Sequence, residues 1–428
     1  MEKRKIAFQT FGCKLNFAET STLSRMFPEE EFEQVTHKEQ ADIYIIHSCS
    51  VTANAEKKTR AAIRHAKKIN PEASVAVIGC YAQLRPHELM EMPEVDIVMG
   101  NREKYRLPGI YRNNNVKNLI DVDDSNIMKD MSYKAAYSTG DRTRTFLKIQ
   151  DGCDYFCTYC TIPYARGRSR SSNIAEILTT AERIGKSGIK EIILTGVNIG
   201  DFGKNNGETF FELMKGLEKV EGIERYRISS IEPDLLNKDI IDFVGQSSKF
   251  LPHFHIPLQS GNNDILKRMN RKYDREIFSQ HVNYIKQVIP DACIAVDLIV
   301  GFPGETEELY RDSASFIKSL PVSYLHVFTY SSRPNTKAEH MKDKVPGNIK
   351  KERSIEMHDI STRMRKVFLE SQKGKTEKVL WESNRQGEYM QGWTGNYIKV
   401  KQLYDEKKVN TIESVKLVNL NNESFIIE

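Results

Sequence analysis

The stretch Cys153-Asp154-Tyr155-Phe156-Cys157-Thr158-Tyr159-Cys160 places three thiols within eight residues. An ordinary iron–sulfur cluster takes four cysteine ligands, so three closely spaced cysteines leave one iron open. A structural zinc site and buried thiols are the alternatives, but zinc would need a fourth Cys or His nearby, and the next candidate, His253, lies far along the chain. The spacing therefore predicts a [4Fe–4S] cluster with a vacant ligand position.

A vacant position on the cluster predicts what binds there. The C-x3-C-x2-C spacing is typical of clusters whose open iron is chelated by the amino and carboxylate groups of S-adenosylmethionine. One electron from such a cluster cleaves this molecule into methionine and a carbon radical. We therefore expect radical chemistry.

The composition limits the class of protein. A length of 428 residues predicts two to four domains of about 150 residues each. Mean hydropathy is -0.52 and no apolar run approaches the roughly 20 residues of a membrane span, so we expect a cytoplasmic protein that does not enter a membrane. In a reducing compartment, seven cysteines favour metal binding over disulfides.

Basic residues cluster at two places, although a net charge of +5 is too small to indicate nucleic-acid binding by itself. Helical spacing places one cluster on a single face of a segment after Cys49, and a solvated helix face is the alternative interpretation. Its residues are Lys57, Arg60, Arg64, Lys67 and Lys68. A second cluster directly follows the three-cysteine loop and consists of Arg166, Arg168 and Arg170, and we expect both clusters to contact RNA.

Residues 1–125 alternate short apolar runs with amphipathic segments, which predicts a parallel α/β sheet. The predicted strands are Lys5–Thr10, Ala41–Ser48, Ser74–Gly79 and Val95–Gly100. Cys13, Cys49 and Cys80 each lie at or just beyond a strand end, where open parallel sheets bind ligands. This pattern predicts a second three-cysteine cluster, with buried core thiols as the alternative.

Residues 140–370 contain six further strand–helix units, which predict a partial (β/α)6 barrel with its chemistry on the loops after the strands. The predicted strands are Thr145–Gln150, Glu191–Thr195, Arg225–Ser230, His253–Leu258, Ile294–Val300 and Tyr324–Thr329. The three-cysteine loop follows the first of them. Cys293 begins the fifth, and we expect it to be buried and inert.

Residues 371–428 form short strand-like runs broken by Asn and Gly, which predict a small β-barrel. Such barrels commonly bind oligonucleotides through basic and aromatic side chains. Trp393 and Lys399, with Tyr389 and Tyr397, are candidates for RNA contacts. Aromatic residues of a small barrel core are the alternative.

Seven motifs together resemble those of the methylthiotransferases, which are radical S-adenosylmethionine enzymes. They are Gly12-Cys13-Lys14-Leu15-Asn16, Ser48-Cys49-Ser50, Gly79-Cys80-Tyr81, Cys153 to Cys160, Leu194 to Asn198, His255 to Gly261 and Asp297 to Thr306. The resemblance covers nearly the whole chain. One departure is His47-Ser48 before Cys49, where the family usually has Asn-Thr.

The resemblance implies two [4Fe–4S] clusters with three cysteines each, S-adenosylmethionine, and a terminal RNA-binding barrel of the TRAM type. Cys153, Cys157 and Cys160 would hold the cluster that generates the radical, and Cys13, Cys49 and Cys80 the cluster that lends sulfur. Two S-adenosylmethionine molecules would be consumed per product. The positions matched to cofactor or substrate contacts are Tyr159, Gly196, Val197, Asn198, Glu232, Gln259, Asp297, Gly301 and Pro303.

Lys14 and the segment Ser229–Pro233 resemble the branch that modifies N6-threonylcarbamoyladenosine at position 37, in the anticodon loop of tRNA. The implied partners are that tRNA, a low-potential electron donor such as flavodoxin or ferredoxin, and a sulfur donor. The alternative substrates are isopentenyladenosine 37 in tRNA and an aspartate of a ribosomal protein. A non-enzymatic iron–sulfur protein that binds RNA is an alternative of a different class.

Overall fold

A computed structural model describes residues 3–113, 117–123, 127–140 and 143–427. The chain forms two compact units. Unit 1 comprises Met1–Thr139, Asp151–Arg170 and Arg333–Glu339, and unit 2 comprises Gly140–Gln150, Ser171–Ser332 and His340–Glu428. The three-cysteine loop therefore belongs to the N-terminal unit, and the terminal β-rich segment belongs to the same unit as the predicted barrel. None of the helices in the described ranges combines the length and apolar composition needed to cross a bilayer.

Unit 1 is built on a parallel sheet. Its strands are β1 (Arg4–Thr10), β2 (Phe32–Val35), β3 (Ile43–Ser48), β4 (Ser74–Gly79), β5 (Ile97–Met99) and β6 (Leu119–Asp121). They are ordered β2-β1-β3-β4-β5-β6, and every neighbouring pair is parallel. The four predicted strands are confirmed within two residues at each end, and β2 and β6 are additions.

The helices of this part of the chain cover both faces of the sheet. They are α1 (Lys14–Ser24), α2 (Ala53–Ile69), α3 (Cys80–Leu84), α4 (Pro86–Met90) and α5 (Leu107–Asn113). Alternate strand residues point to opposite faces, so Ile46 and Val77 join one apolar cluster and Ile45 and Ile78 join the other. Burial on both faces explains why the central strands β4 and β5 are mostly apolar.

The middle of the chain repeats a strand and a helix. The strands are β7 (Ala136–Tyr137), β8 (Thr145–Lys148), β9 (Gln150–Asp151), β10 (Arg170–Ser171), β11 (Glu191–Thr195), β12 (Arg225–Ile228), β13 (His253–Gln259), β14 (Cys293–Val300) and β15 (Tyr324–Thr329). The helices are α6 (Ile162–Arg166), α7 (Ile174–Lys186), α8 (Phe210–Glu218), α9 (Lys238–Gln246), α10 (Asn263–Arg268), α11 (Arg275–Val288) and α12 (Glu307–Ser319).

Six of these strands give unit 2 its parallel core. β8, β11 and β12 pair in parallel, as do β13, β14 and β15, and a parallel bridge between Ser230 and His255 links the two groups. All six predicted strands are present. Local sequence also sets the helix starts, since Thr306 accepts a hydrogen bond from the Leu309 N–H at the first turn of α12.

The last part of unit 2 contains a long helix and a mixed sheet. These elements are α13 (Gly347–Glu370), β16 (Thr376–Gln386), β17 (Tyr389–Thr394), β18 (Lys399–Leu403), β19 (Ile412–Lys416), β20 (Asn419–Asn421) and β21 (Ser424–Ile426). The order is β19-β16-β17-β18-β21-β20, so in the described chain β19 and β20 form the edges, and closure into a barrel stays a prediction. Trp381, Val400 and Phe425 form the core with Cys293, which is buried as expected.

Buried charges connect this sheet to the parallel core of unit 2. Arg225 donates to the carbonyls of Trp393 and Lys378, and Arg227 donates to those of Thr394 and Gly395. Glu191, which is fully buried, balances these guanidinium groups and lies 3.1 Å from Arg227 Nε. The mixed sheet is therefore attached through the first residues of β11 and β12.

Candidate active site

The loop that carries Cys153, Cys157 and Cys160 is shaped by its own backbone. The N–H of Tyr155 donates to Cys153 Sγ and that of Ile162 donates to Cys160 Sγ, each at 3.4 Å. Such hydrogen bonds stabilise thiolate sulfur and tune iron–sulfur clusters. The loop therefore provides both the sulfur ligands and the donors that support them.

The base of this loop requires a glycine. Gly152 has φ +70°, and a Cβ at this position would collide with the carbonyl of Arg168. The next residue closes the loop, because the Cys153 N–H donates to the Gly167 carbonyl at 3.1 Å. The two ends of the loop thus approach more closely than any side chain at residue 152 would allow.

Cys13, Cys49 and Cys80 follow three adjacent strands of unit 1. Cys13 lies between β1 and α1, Cys49 directly follows β3, and Cys80 begins α3 after β4. Since β1, β3 and β4 are parallel neighbours, the three cysteines lie together at the carboxyl edge of the sheet. Gly12 leaves room for them, because a Cβ there would lie 2.9 Å from Cys49 Sγ.

The surroundings of Cys49 favour its protonated form. Burial raises the pKa of the Cys49 thiol to about 12, and the nearby Cys80 adds to this rise. Asn101 lies next to Cys80, with its side-chain nitrogen 3.6 Å from the sulfur. Because metals bind the thiolate form, loading this site with iron must release protons.

A buried cluster of charges joins the two cysteine groups within unit 1. Arg166, at the end of α6, is 2% exposed and contacts Glu19 at 3.0 and 3.1 Å, Asp151 at 3.0 Å and the Asn16 side-chain oxygen at 2.7 Å. Lys104 Nζ lies 2.6 Å from Glu19 Oε2. Asn16 and Glu19 belong to the helix after Cys13, and Asp151 and Arg166 flank the three-cysteine loop. We call these residues the buried charge cluster.

The residue pair that departs from the family motif belongs to the same surroundings. His47 is fully buried, its Nδ1 is 2.8 Å from the Thr20 hydroxyl, and its Nε2 is 3.8 Å from Glu19 Oε2. Ser48 donates to the Ile78 carbonyl at 2.6 Å. These side chains fix the end of β3 next to Cys49.

The comparisons with known proteins identify the family. A model described as uncharacterized protein family UPF0004 matches residues 5–100, and one described as the radical SAM superfamily matches residues 147–317. The chain is 38% identical over 96% of its length to the threonylcarbamoyladenosine tRNA methylthiotransferase MtaB of Bacillus subtilis, of which 93% is covered. It belongs to the radical S-adenosylmethionine methylthiotransferases.

Other relatives are named for more than one substrate. MtaB of Aquifex aeolicus is 39% identical over 93% of this chain and 96% of its own. A tRNA-2-methylthio-N(6)-dimethylallyladenosine synthase of Alkaliphilus oremlandii is 33% identical over 97% of this chain and 91% of its own. Among solved structures, the radical S-adenosylmethionine methyltransferase TsrM of Kitasatospora setae shares the fold, with a TM-score of 0.58 and 13% identity over 79% of this chain and 77% of TsrM.

This methylthiotransferase uses S-adenosylmethionine and [4Fe–4S] clusters, and the structure contains two groups of three cysteines that fit such clusters. All seven cysteines lie in the described ranges, and none forms a disulfide. Six of them make up the two groups, which leaves the buried Cys293 outside both. The backbone donors at Cys153 and Cys160 and the side chain of Asn101 at Cys80 are suited to bound thiolates.

The predicted cofactor contacts of the methylthiotransferase after β11 depend on a residue that the sequence did not reveal. Gln150 Oε1 accepts hydrogen bonds from the N–H groups of Val197 at 2.9 Å and Asn198 at 2.8 Å. A Cβ on Gly196 would lie 3.0 Å from the same oxygen. Gln150 therefore fixes the Gly196–Asn198 turn.

Most of the other predicted contacts lie near strand ends; the exceptions are Asp297 and Tyr159, which is half-buried beside Cys160. Gln259 ends β13 with φ +67° at an irregularity in the pairing with β14, and Asp297 lies in β14. Gly301 and Pro303 are buried in a turn after β14. Glu305 holds this turn, because it accepts from the Gly301 N–H and lies 2.9 Å from Arg353.

Glu232 follows β12 and forms an ion pair with Arg271. Burial raises the pKa of Glu232 to about 7, in spite of the opposing effect of Arg271, and the charges of Asp234 and Asp297 contribute to the rise. The folded protein therefore holds this proton between the unfolded pKa near 4.5 and about 7, and the free energy of unfolding falls as pH rises through that window.

We expect the Glu232→Gln substitution to remove this dependence. Between about pH 5 and pH 8, the wild type should lose up to about 3 kcal/mol more unfolding free energy than the variant. Urea unfolding of both proteins at the two pH values measures the difference. An identical loss in the two proteins would contradict the raised pKa.

The structure corrects part of the predicted RNA-binding set. Arg166 and Arg170 are buried among carboxylates and backbone carbonyls, so their guanidinium groups do not face solvent. Arg168 is half exposed. Trp393 stacks on Tyr397 with ring centroids 4.5 Å apart and donates to Glu382, which leaves that ring face closed to a base. These contacts connect residues far apart in sequence, so the local pattern could not reveal them.

Of the predicted RNA-binding residues on α2, Arg60 and Lys67 are engaged in ion pairs within the protein. Arg60 Nη1 lies 2.8 Å from Glu88 and also contacts the Tyr81 hydroxyl. Lys67 lies 3.2 Å from Asp96. Lys57, Arg64 and Lys68 are exposed.

Proposed function

We propose that this methylthiotransferase converts N6-threonylcarbamoyladenosine at position 37 of tRNA to its 2-methylthio derivative. One observation carries the proposal: two groups of three cysteines lie in the same compact unit and share the buried charge cluster. Relatives named for this nucleoside, at 35 to 39% identity, support the choice of substrate.

The two clusters and S-adenosylmethionine, when bound, would supply a 5'-deoxyadenosyl radical and the sulfur that carbon 2 of the adenine cannot obtain by polar chemistry. The residues of the chain hold these groups in place. Arg166 ties the helix after Cys13 to both ends of the three-cysteine loop, so the two sites keep a fixed spacing. Gln150 orders the turn at Gly196–Asn198 where the family binds the amino end of S-adenosylmethionine.

Nucleoside mass spectrometry tests the reaction and the substrate together. Anaerobically reconstituted protein is incubated with S-adenosylmethionine, dithionite and tRNA that carries either threonylcarbamoyladenosine or isopentenyladenosine. We expect the methylthio product with the first tRNA alone. Product from the second would assign the dimethylallyladenosine reaction, and 5'-deoxyadenosine without either product would favour a protein substrate. Absence of 5'-deoxyadenosine would favour the non-enzymatic alternative.

The exposed basic face of α2, formed by Lys57, Arg64 and Lys68, is our proposed phosphate contact. Paired charge reversal, Arg64→Glu with Lys68→Glu, should raise the apparent KM for tRNA about tenfold and flatten its salt dependence. Lys186→Glu, on the exposed surface of α7, is the matched control. Equal KM values in all three proteins, at unchanged iron content, would exclude this face.

The remaining proposals concern the surroundings of the reaction. We infer that the terminal sheet is a TRAM-like module in which Lys399, rather than the stacked Trp393, contacts RNA, and that Arg168 contributes at the three-cysteine loop. A flavodoxin or ferredoxin would supply electrons, and a separate donor would restore the sulfur. A tRNA substrate and oxygen-sensitive clusters both support a cytoplasmic location.

A further inference from the structure

Three metal-binding side chains meet on one face of the parallel core of unit 2. They are His255 on β13, Asp297 on β14 and His326 on β15, and one ligand atom from each lies within 4.8 Å of the others. His255 Nε2 is 2.7 Å from Asp297 Oδ1, and the two histidine rings are 5.1 Å apart. The strand register explains the meeting, because Asp297 is directly opposite His326.

This face differs from the packed face of the same strands. Neighbouring residues such as Ile256, Leu298 and Leu325 point the other way and are buried. His255 and Asp297 are each 19% exposed, and His326 is exposed. The side chain of His326 is therefore accessible from solvent.

Two imidazoles and one carboxylate are a ligand set that binds divalent transition metals and leaves coordination positions open. Phe328, two residues after His326 on the same strand, is 47% exposed and offers an apolar ring on the same face of the sheet. A purine with an anionic substituent matches this combination.

We propose that His255, Asp297 and His326 bind a divalent transition-metal ion whose open positions hold the carboxylate of the threonylcarbamoyl group. The contact between the ion and the threonylcarbamoyl carboxylate rests on the proposed function. The ion fixes the anionic end of the modified adenosine, and Phe328 packs against its base. Neither cysteine group takes part in this contact.

Zinc retention tests the site without reference to activity. Protein with reconstituted clusters is mixed with zinc, desalted, and analysed for zinc and iron by mass spectrometry. Wild type should retain about one zinc more than His326→Gln and Asp297→Asn, with equal iron in all samples. His358→Gln, which changes an exposed histidine on α13, should match wild type. Equal zinc in wild type and His326→Gln would overturn the site and leave a simple hydrogen-bonded pair.

Substrate binding tests the role of the ion. Zinc should lower the apparent KM of wild type for tRNA with threonylcarbamoyladenosine about tenfold, and should not change that of His326→Gln. A KM that is indifferent to zinc in wild type would overturn the carboxylate contact. Formation of the methylthio product by a protein that retains no zinc would support the proposed function and refute this inference. Zinc retention without that product would refute the carboxylate contact together with the proposed function, and would keep the metal site.

Discussion

The Cys157→Ala variant is expected to lose S-adenosylmethionine cleavage by at least about a thousandfold. Cys157 is one of only three thiols on its loop, so its removal leaves too few ligands for a cluster. Iron should fall from about eight to about four atoms per chain, because the cluster at Cys13, Cys49 and Cys80 has its own ligands. Chromatographic measurement of 5'-deoxyadenosine and iron analysis of anaerobic protein provide the two readouts.

A cysteine substitution in the group of Cys13, Cys49 and Cys80 should separate radical formation from sulfur transfer. Cys49→Ala should retain 5'-deoxyadenosine formation while losing the methylthio product. Cys293→Ala is the control, because Cys293 is buried in the core of the terminal sheet and belongs to neither group. Loss of 5'-deoxyadenosine in Cys49→Ala, at undiminished iron on the three-cysteine loop, would contradict separate roles for the two groups.

The second large effect concerns stability. Glu19→Ala should lower the free energy of unfolding by about 3–5 kcal/mol, because it leaves Arg166 and Lys104 buried with too little negative charge. Both cations are at most 2% exposed, so water cannot replace the lost carboxylate. Urea unfolding followed by circular dichroism measures the change.

An exposed pair provides the control for this stability change. Glu31 forms an ion pair with Arg112 at 2.6 Å on the surface, and Glu31→Ala should leave the unfolding midpoint essentially unchanged. Glu19→Gln should fall between the two variants, because it keeps hydrogen-bonding capacity and loses charge. Equal midpoints for Glu19→Ala and Glu31→Ala would show that the buried charge cluster does not stabilise the fold.

The sequence revealed those features that depend on local pattern. Short apolar runs such as Ala41–Ser48 predicted parallel strands, and the geometry of parallel sheets then predicted that the cysteines after these runs lie close together. The three-cysteine loop was predicted from the spacing of its cysteines alone. These inferences used residues that are neighbours in sequence or in strand order.

Long-range polar contacts were not accessible in the same way. Arg166 looked like a surface cation beside Arg168, but Glu19, 147 residues earlier in the chain, draws it into the interior. The same contact lies within unit 1, to which the three-cysteine loop belongs although β8 of unit 2 precedes it. Gln150 was hidden for a similar reason, since its acceptor role depends on a turn 47 residues away.

The attachment of the terminal sheet through Arg225, Arg227 and Glu191 has a consequence for protein engineering. A chain shortened after α13 would leave the buried guanidinium groups of Arg225 and Arg227 without the carbonyls of residues 378 and 393–395 as hydrogen-bond acceptors. The terminal sheet is therefore not a module that can be exchanged independently of the parallel core. Replacing the terminal sheet with that of a paralogue would also require the residues of the paralogue's parallel core that bind its sheet.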